Sequence, residues 1–186
     1  MIDNVLKLIR PRLDWENEFS SMLQEYRDAG DDWFAYESHI QERGFASYVE
    51  WLQNGERGVV EDNAESDLVP WTTLWLTRGH SILGVSSIRH VLTPYLLLQG
   101  GNIGYTIRPS QRRQGFGTFI LSATLGEAKL LNLDEVLLVC EKENVASARI
   151  IEKNGGQRED EAPDERLTLL RYWIDLRTPS VSDGLE

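Results

Sequence analysis

Residues 102 to 118 read NIGYTIRPSQRRQGFGT, a strand running into a glycine-marked turn that opens a helix. Gly115 and Gly117 lack a Cβ, so the backbone there can take positive φ and come close to a ligand. Beyond the turn, Ile120, Leu121, Thr124, Leu125, Ala128 and Leu131 recur at three- and four-residue spacing, the period of a helix with one buried face. The free N–H groups and partial positive charge of such a helix point back at the turn and favour an anion such as a pyrophosphate. Arg112 and Arg113 add positive charge at the same place.

Two phosphate loops fail against these residues. A P-loop needs Lys and then Ser or Thr after its last glycine, whereas Thr118 and Phe119 follow Gly117. A dinucleotide fingerprint needs a third glycine or alanine where Ile120 stands. Arg112-Arg113-Gln114-Gly115-Phe116-Gly117 instead matches R/Q-x-x-G-x-G/A, the turn by which the GNAT acetyltransferase superfamily binds the pyrophosphate of acetyl-coenzyme A. The chain resembles that superfamily further downstream. Glu135 to Cys140 is a continuous apolar run suited to a strand buried on both faces. NVASARIIEKNGG, from Asn144 to Gly156, is similar to the superfamily's N-x-x-S/A-x-x-x-Y-x-K-x-G-F segment, with a helix between Asn144 and Gly155. The resemblance covers residues 79 to 175, and HVLTPYLLLQGGNIGY also resembles a bacterial subgroup of predicted acetyltransferases.

The resemblance implies an α+β fold in three layers, with a central, mostly antiparallel sheet flanked by helices. It implies that the strands around residues 105 and 138 splay apart, leaving a wedge for a pantetheine arm. The implied activity is transfer of acetyl from acetyl-coenzyme A to a primary amine, by direct attack in a ternary complex. The implied cofactor contacts are the backbone of Arg113, Gln114, Gly115, Phe116, Gly117 and Thr118 with Arg112, and the strand edge at Tyr105, Thr106 and Ile107. Asn144 and Ser147 complete the set, although Asn144 also stands where a helix N-cap belongs.

The catalytic pattern departs from the superfamily. Ile151 stands where a tyrosine usually protonates the departing thiolate, so that role does not carry over. A sometimes-catalytic glutamate corresponds to Val139, and Glu141, two residues on and on the same strand face, is the first candidate for general base. His90, which would titrate near neutral pH, is the second, and the Tyr105 hydroxyl is a third catalytic candidate. Each has an ordinary structural reading: a surface carboxylate at a strand end, a hydrogen-bonded imidazole, a packed aromatic. The loss at Ile151 keeps open a non-catalytic acyl-CoA-binding or regulatory domain.

Composition bounds the rest. At 186 residues the chain suits one domain, residues 1–177, followed by a Ser-, Pro- and Gly-rich tail over 178–186. A net charge of −11 argues against nucleic acid as a partner. No apolar run reaches membrane-span length and the N-terminus lacks signal-peptide order, so a soluble, cytoplasmic protein off the membrane is expected. The single cysteine, Cys140, excludes an internal disulfide and reads as a buried structural thiol. Three scattered histidines and one cysteine give no metal-ligand spacing, so no metal is expected. The acceptor is a small-molecule or protein amine of unknown identity. Trp33, Phe34 and Tyr36 beside Asp31, Asp32 and Glu37 read either as a wall for a cationic acceptor or as core edge plus solvated charge. Family habit is compatible with a homodimer, but the residues define no interface.

Along the chain, periodicity predicts a strand at Val5–Ile9 and a helix from Trp15 to Gly30. A second helix is expected over Phe45–Gln53, then a mobile polar loop over 54–67. A hairpin of Trp71–Arg78 and Ser81–Val91 follows, and a strand at Ile103–Pro109. Beyond these come a helix over 116–131, a strand over 135–140, a helix over 145–153, and closing strands near Gln157–Glu159 and Leu167–Asp175.

Overall fold

The structure, a computed structural model, describes residues 5–31, 37–59, 68–159 and 169–177. Strand β1 (Leu6–Ile9) leads into helix α1 (Glu16–Asp28), whose Phe19, Met22, Leu23 and Tyr26 are buried on one face, as their spacing requires. Glu16 and Glu18 in its first turn favour the positive end of the helix dipole. The helix closes at Gly30, φ 68°, with Asp31 N–H donating to the Tyr26 carbonyl and Gly30 N–H to the Arg27 carbonyl. These paired bonds form a Schellman cap and fix where Asp31 stands.

Helix α2 (Glu37–Glu56) is longer than the Phe45–Gln53 expected, because a first stretch precedes a break at Gly44 (φ 83°, ψ 164°) and the end runs into the predicted loop. Residues 60–67 of that loop lie outside the described residues. Strands β2 (Trp71–Arg78), β3 (Ser81–Arg89) and β4 (Ile103–Ile107) follow, then α3 (Phe116–Leu130), β5 (Glu135–Glu141), α4 (Val145–Lys153), β6 (Gln157–Arg158) and β7 (Leu169–Asp175). Between β3 and β4 a π-helical turn, Leu96–Gly100, was not anticipated; it buries Leu96 while Tyr95, Leu97 and Leu98 stay exposed.

The strands form two sheets, β1-β2-β3-β4 and β5-β7-β6, with every pairing antiparallel. Strand β2 is buried along nearly its whole length because helices cover both faces. Trp71 and Trp75 join α1 and α2 in one core, with Trp75 stacked 5.1 Å from Phe19 and Trp71 4.6 Å from Trp51. Leu74 faces the opposite core with Leu121 of α3, Leu138 of β5 and Tyr172 of β7. A bulge where β2 shifts register at Leu76/Thr77 lets Ile82 and Val85, three residues apart, share the α1–α2 core. Each such fully buried large apolar side chain contributes about 1.5–3 kcal/mol. Among the described residues no helix is long and apolar enough to cross a membrane.

A buried arginine ties the first helix to the sheet below the turn that precedes α3. Arg108, next after β4, donates from Nη1 to Glu18 at 2.5 Å, from Nε to Glu25 at 2.7 Å and from Nη2 to Ser21 at 2.9 Å. Nothing local in the sequence marks Arg108 as buried, because Glu18 and Glu25 are 90 and 83 residues away.

Candidate active site

Strands β4 and β5 are neighbours without being a ladder. They meet at Asn102 and Leu137. Asn102 N–H donates to the Leu137 carbonyl at 2.7 Å, its Oδ1 accepts from Leu137 N–H at 2.8 Å, and its Nδ2 donates to the Arg89 carbonyl at 3.1 Å. Beyond this vertex β4 pairs, among the described residues, with β3 alone, and no strand covers its other backbone edge, where Arg112 Nε reaches the Ile107 carbonyl. The space between the strands is a cavity of about 900 Å³, within the range of small-molecule sites.

The cavity runs from the β4–β5 wedge to the start of α3. Tyr105, Thr106, Ile107, Arg112, Arg113, Gly115, Gly117, Thr118, Asn144 and Ser147 line it, so ten of the residues chosen from sequence come together. Arg113 stands in the left-handed region at φ 59° and Gly115, the residue before the helix, at φ 86°. The Arg113 conformation is uncommon for a residue with a Cβ and marks the turn as a locally strained one. Gly115 offers no capping side chain, so the first N–H groups of α3 are left for a ligand. Gly117 admits a close approach: a Cβ there would sit 2.6 Å from Cδ1 of Ile150 on α4.

The remaining candidate residues are placed differently. Phe116 turns into the core, with the Arg78 guanidinium 5.3 Å from its ring centroid, so only its backbone belongs to the turn. Gln114 donates to the Ser110 carbonyl at 3.4 Å and does not line the cavity. Arg112 is engaged by Asp31, by the Ile107 carbonyl at 3.1 Å and by the Tyr26 ring at 5.8 Å. Asp31 is therefore a partner of Arg112 in the turn before α3 rather than a free acceptor wall. Asp32, Trp33, Phe34 and Tyr36 lie outside the described residues, as does the side chain of Glu37.

Asn144 caps α4, its Oδ1 accepting from Ser147 N–H at 3.0 Å, and lines the cavity as well. The Tyr105 hydroxyl is buried and makes no hydrogen bond of regular geometry among the described residues. Burial pushes its phenol up to about 12, against the Ser147 side chain, which lowers it. It therefore stays protonated at any physiological pH, on the β4 wall of the cavity. Ile151 and Val139 line the same cavity, whereas Glu141 is exposed at the end of β5 and is not in the lining. Burial lifts the Cys140 thiol, with Glu152 and Glu141 acting the same way, so it stays protonated on the β5 wall.

His90 lies away from the wedge. Its Nε2 meets the hydroxyl of buried Thr72 at 2.9 Å, and that hydroxyl also reaches Glu56 at 3.5 Å. Burial lowers the imidazole pKa although Glu56 opposes it, so His90 is neutral at pH 7. Among the described residues no three potential metal ligands converge.

Sequence reasoning missed Asn102, Asp31 as a partner of Arg112, and Arg149, which lines the cavity from α4. Asn102 opens the decisive stretch yet carries no local signal, since its partners are Arg89 and Leu137.

Comparison with known proteins gives the same direction. The family model described as the acetyltransferase (GNAT) domain matches residues 15–157. No curated protein sequence matches the chain at a significant level. Among solved structures, RimJ of Mycobacterium smegmatis in complex with CoA-disulfide superposes with a TM-score of 0.67 at 16% identity, over 94% of this chain and 83% of that one. The spermidine N-acetyltransferase of Vibrio cholerae, with CoA and spermine, gives 0.56 at 17% identity, over 92% and 95%. An acetyl transferase of Salmonella typhimurium that modifies the N-terminal serine of a 50S ribosomal subunit protein gives 0.61 at 15%, over 94% and 97%.

Proposed function

Because the chain belongs to the acetyltransferase (GNAT) domain family, we propose that it transfers the acetyl group of acetyl-coenzyme A to a primary amine while both substrates are bound. The observation that carries this reading is the cavity that joins an uncapped helix start, flanked by Arg112 and Arg113, to the open edge of β4. The pyrophosphate fits the first: N–H groups of α3 and the helix dipole meet its charge. The pantetheine arm fits the second, since its amides can pair with an unpartnered strand edge as an added strand would. The acceptors of the neighbours, a protein N-terminus and a polyamine, are both primary amines.

Holding both substrates in one cleft supplies much of the rate by proximity. The amine nitrogen bonds to the acetyl carbon, the carbon–sulfur bond breaks, the nitrogen gives up a proton and the sulfur gains one. The Tyr105 hydroxyl, buried and protonated beside Ser147, is suited to donate to the sulfur from β4, since Ile151 on α4 has no proton to give. Glu141 would then take the amine's proton through water from the rim, since its carboxylate does not reach the cavity lining. A primary amine with a pKa of about 10 arrives as an ammonium ion and must lose one further proton, to solvent or Glu141, before it can attack.

Calorimetry of acetyl-coenzyme A, with ATP and NAD as comparators, tests the reading. Binding specific to the coenzyme and lost in Gly117→Glu is expected, because the glutamate would clash with Ile150 and repel the pyrophosphate. Thiol release with a panel of amines follows. Ile151 in the wedge favours a binding domain without turnover, and coenzyme binding with no thiol release from any amine would select that reading.

A further inference from the structure

Coenzyme A carries a second anionic group besides its pyrophosphate, the 3′-phosphate of the ribose, a monoester with a charge of about −1.5 to −2 near pH 7. The charges on the cavity wall are three arginines, Arg112, Arg113 and Arg149, and one aspartate, Asp31, in a chain of net charge −11. Arg112 and Asp31 are committed to each other. Arg113 and Arg149 are exposed, and among the described residues neither makes an ion pair or a side-chain hydrogen bond.

Two elements bring these guanidiniums to one rim. Arg113 lies in the turn just before α3. Arg149 lies on α4, which is clasped to the first turn of α3 at two places. Ile150, its neighbour in sequence, packs where Gly117 leaves room, and Asn154 Nδ2 donates to the Thr118 carbonyl at 3.4 Å. Arg149, next to the first of these contacts, lines the same cavity as Arg113 and the helix start that would bind the pyrophosphate. Guanidinium is the group best matched to a phosphate monoester, through two parallel N–H···O bonds.

We propose that Arg113 and Arg149 form a phosphomonoester subsite that grips the ribose 3′-phosphate and makes the protein distinguish coenzyme A from its 3′-dephospho form. This rests on the coenzyme reading given above. It assigns to Arg149 a role in choosing the cofactor, not in the acetyl transfer itself.

The test is a calorimetric cycle with acetyl-coenzyme A and acetyl-3′-dephospho-coenzyme A against the wild type, Arg149→Gln and Arg113→Gln. Both sites are exposed, so the variants keep the fold, which circular dichroism checks. The wild type should bind the full coenzyme about 10- to 100-fold tighter than the dephospho form, as charge-assisted bonds imply. Arg149→Gln should erase most of that ratio by weakening the full coenzyme alone, leaving the dephospho affinity in place. The preference should also shrink as salt rises. Equal affinity of the wild type for both ligands, or an equal loss for both in Arg149→Gln, overturns the subsite while leaving the coenzyme reading intact. Failure of the wild type to bind either ligand overturns both.

Discussion

Replacing Asn102 by alanine should loosen the vertex of the wedge, at a cost that follows from the two side-chain bonds it loses. Asn102 is 4% exposed and Leu137 is 0% exposed, so water cannot take the place of a lost partner. The substitution removes the Oδ1 acceptor of Leu137 N–H and the Nδ2 donor to the Arg89 carbonyl, and keeps the backbone bond from Asn102 N–H to the Leu137 carbonyl. Leaving a buried N–H unpaired costs about 1–3 kcal/mol, and the lost bond to the Arg89 carbonyl adds about 1 kcal/mol. A total of about 2–4 kcal/mol lowers Tm by about 5–15 °C in a chain of this length. Thermal unfolding followed by far-ultraviolet circular dichroism reads that shift, and calorimetry at a temperature where both proteins are folded reads the accompanying loss of coenzyme affinity. Asn102→Asp separates hydrogen bonding from size. At neutral pH its carboxylate faces the Arg89 carbonyl with no donor between them, which raises the carboxyl pKa above its usual range. A raised pKa means that the folded state holds its proton more tightly, so this variant should regain stability as pH falls through that value. A Tm within about 2 °C of wild type for Asn102→Ala would refute the hinge argument. So would an Asn102→Asp variant that tracks the wild type at every pH.

Three further outcomes follow from the same geometry. Tyr105→Phe should slow acetyl transfer by about 10²-fold with the coenzyme Kd nearly unchanged, because the ring and the β4 edge remain and only the proton donor goes; an unchanged kcat would remove Tyr105 from the chemistry. Arg108→Met should destabilise by about 2–4 kcal/mol, discounted from a fully buried pair because Glu18 and Glu25 are about a quarter exposed. Burial raises the Glu25 pKa, but bonds from Ser110 and Arg108 outweigh it and hold the carboxyl below its ordinary range. The stability this contributes is complete above about pH 4.3 and is lost as pH falls through the folded value, so urea unfolding should show the gap between variant and wild type narrowing below that pH. His90, with a pKa lowered by burial, binds its proton less readily in the folded state. Its contribution is therefore complete above about pH 6.5 and declines on acidification, and His90→Gln should flatten the stability profile between about pH 7 and 5 without changing coenzyme binding.

What could be read in the residues and what could not divides along the range of the forces involved. The hairpin of β2 and β3 and the helices α3 and α4 were legible because periodicity, glycine placement and capping act over a few residues. Helix α2 begins before the expected Phe45, because the chain is helical on both sides of the break at Gly44. The bulge in the β2–β3 pair and the π-helical turn at Leu96–Gly100 depend on what packs above them, and no local pattern announces them. Among the candidate residues, those of the turn before α3 were marked by a compact motif, and the structure brings Arg112, Arg113, Gly115, Gly117 and Thr118 together on one cavity wall. His90 is a candidate for its titration range and its place at a strand end, and its position beside Thr72 and Glu56 takes it out of the wedge.

The sequence by itself determined the order of strands and helices, the turn after β4 that leaves the start of α3 uncapped, and the absence of a tyrosine at Ile151. These are consequences of neighbours within a helical turn or a strand pleat. Only the tertiary structure decided that β4 and β5 touch at Asn102 and then part, that Asp31 holds Arg112, and that Tyr105 and Arg149 reach the same cavity from β4 and α4. Each of those meetings joins groups 35 or more residues apart, or from different layers, and is fixed by buried hydrogen bonds and packing that no local pattern of residues encodes.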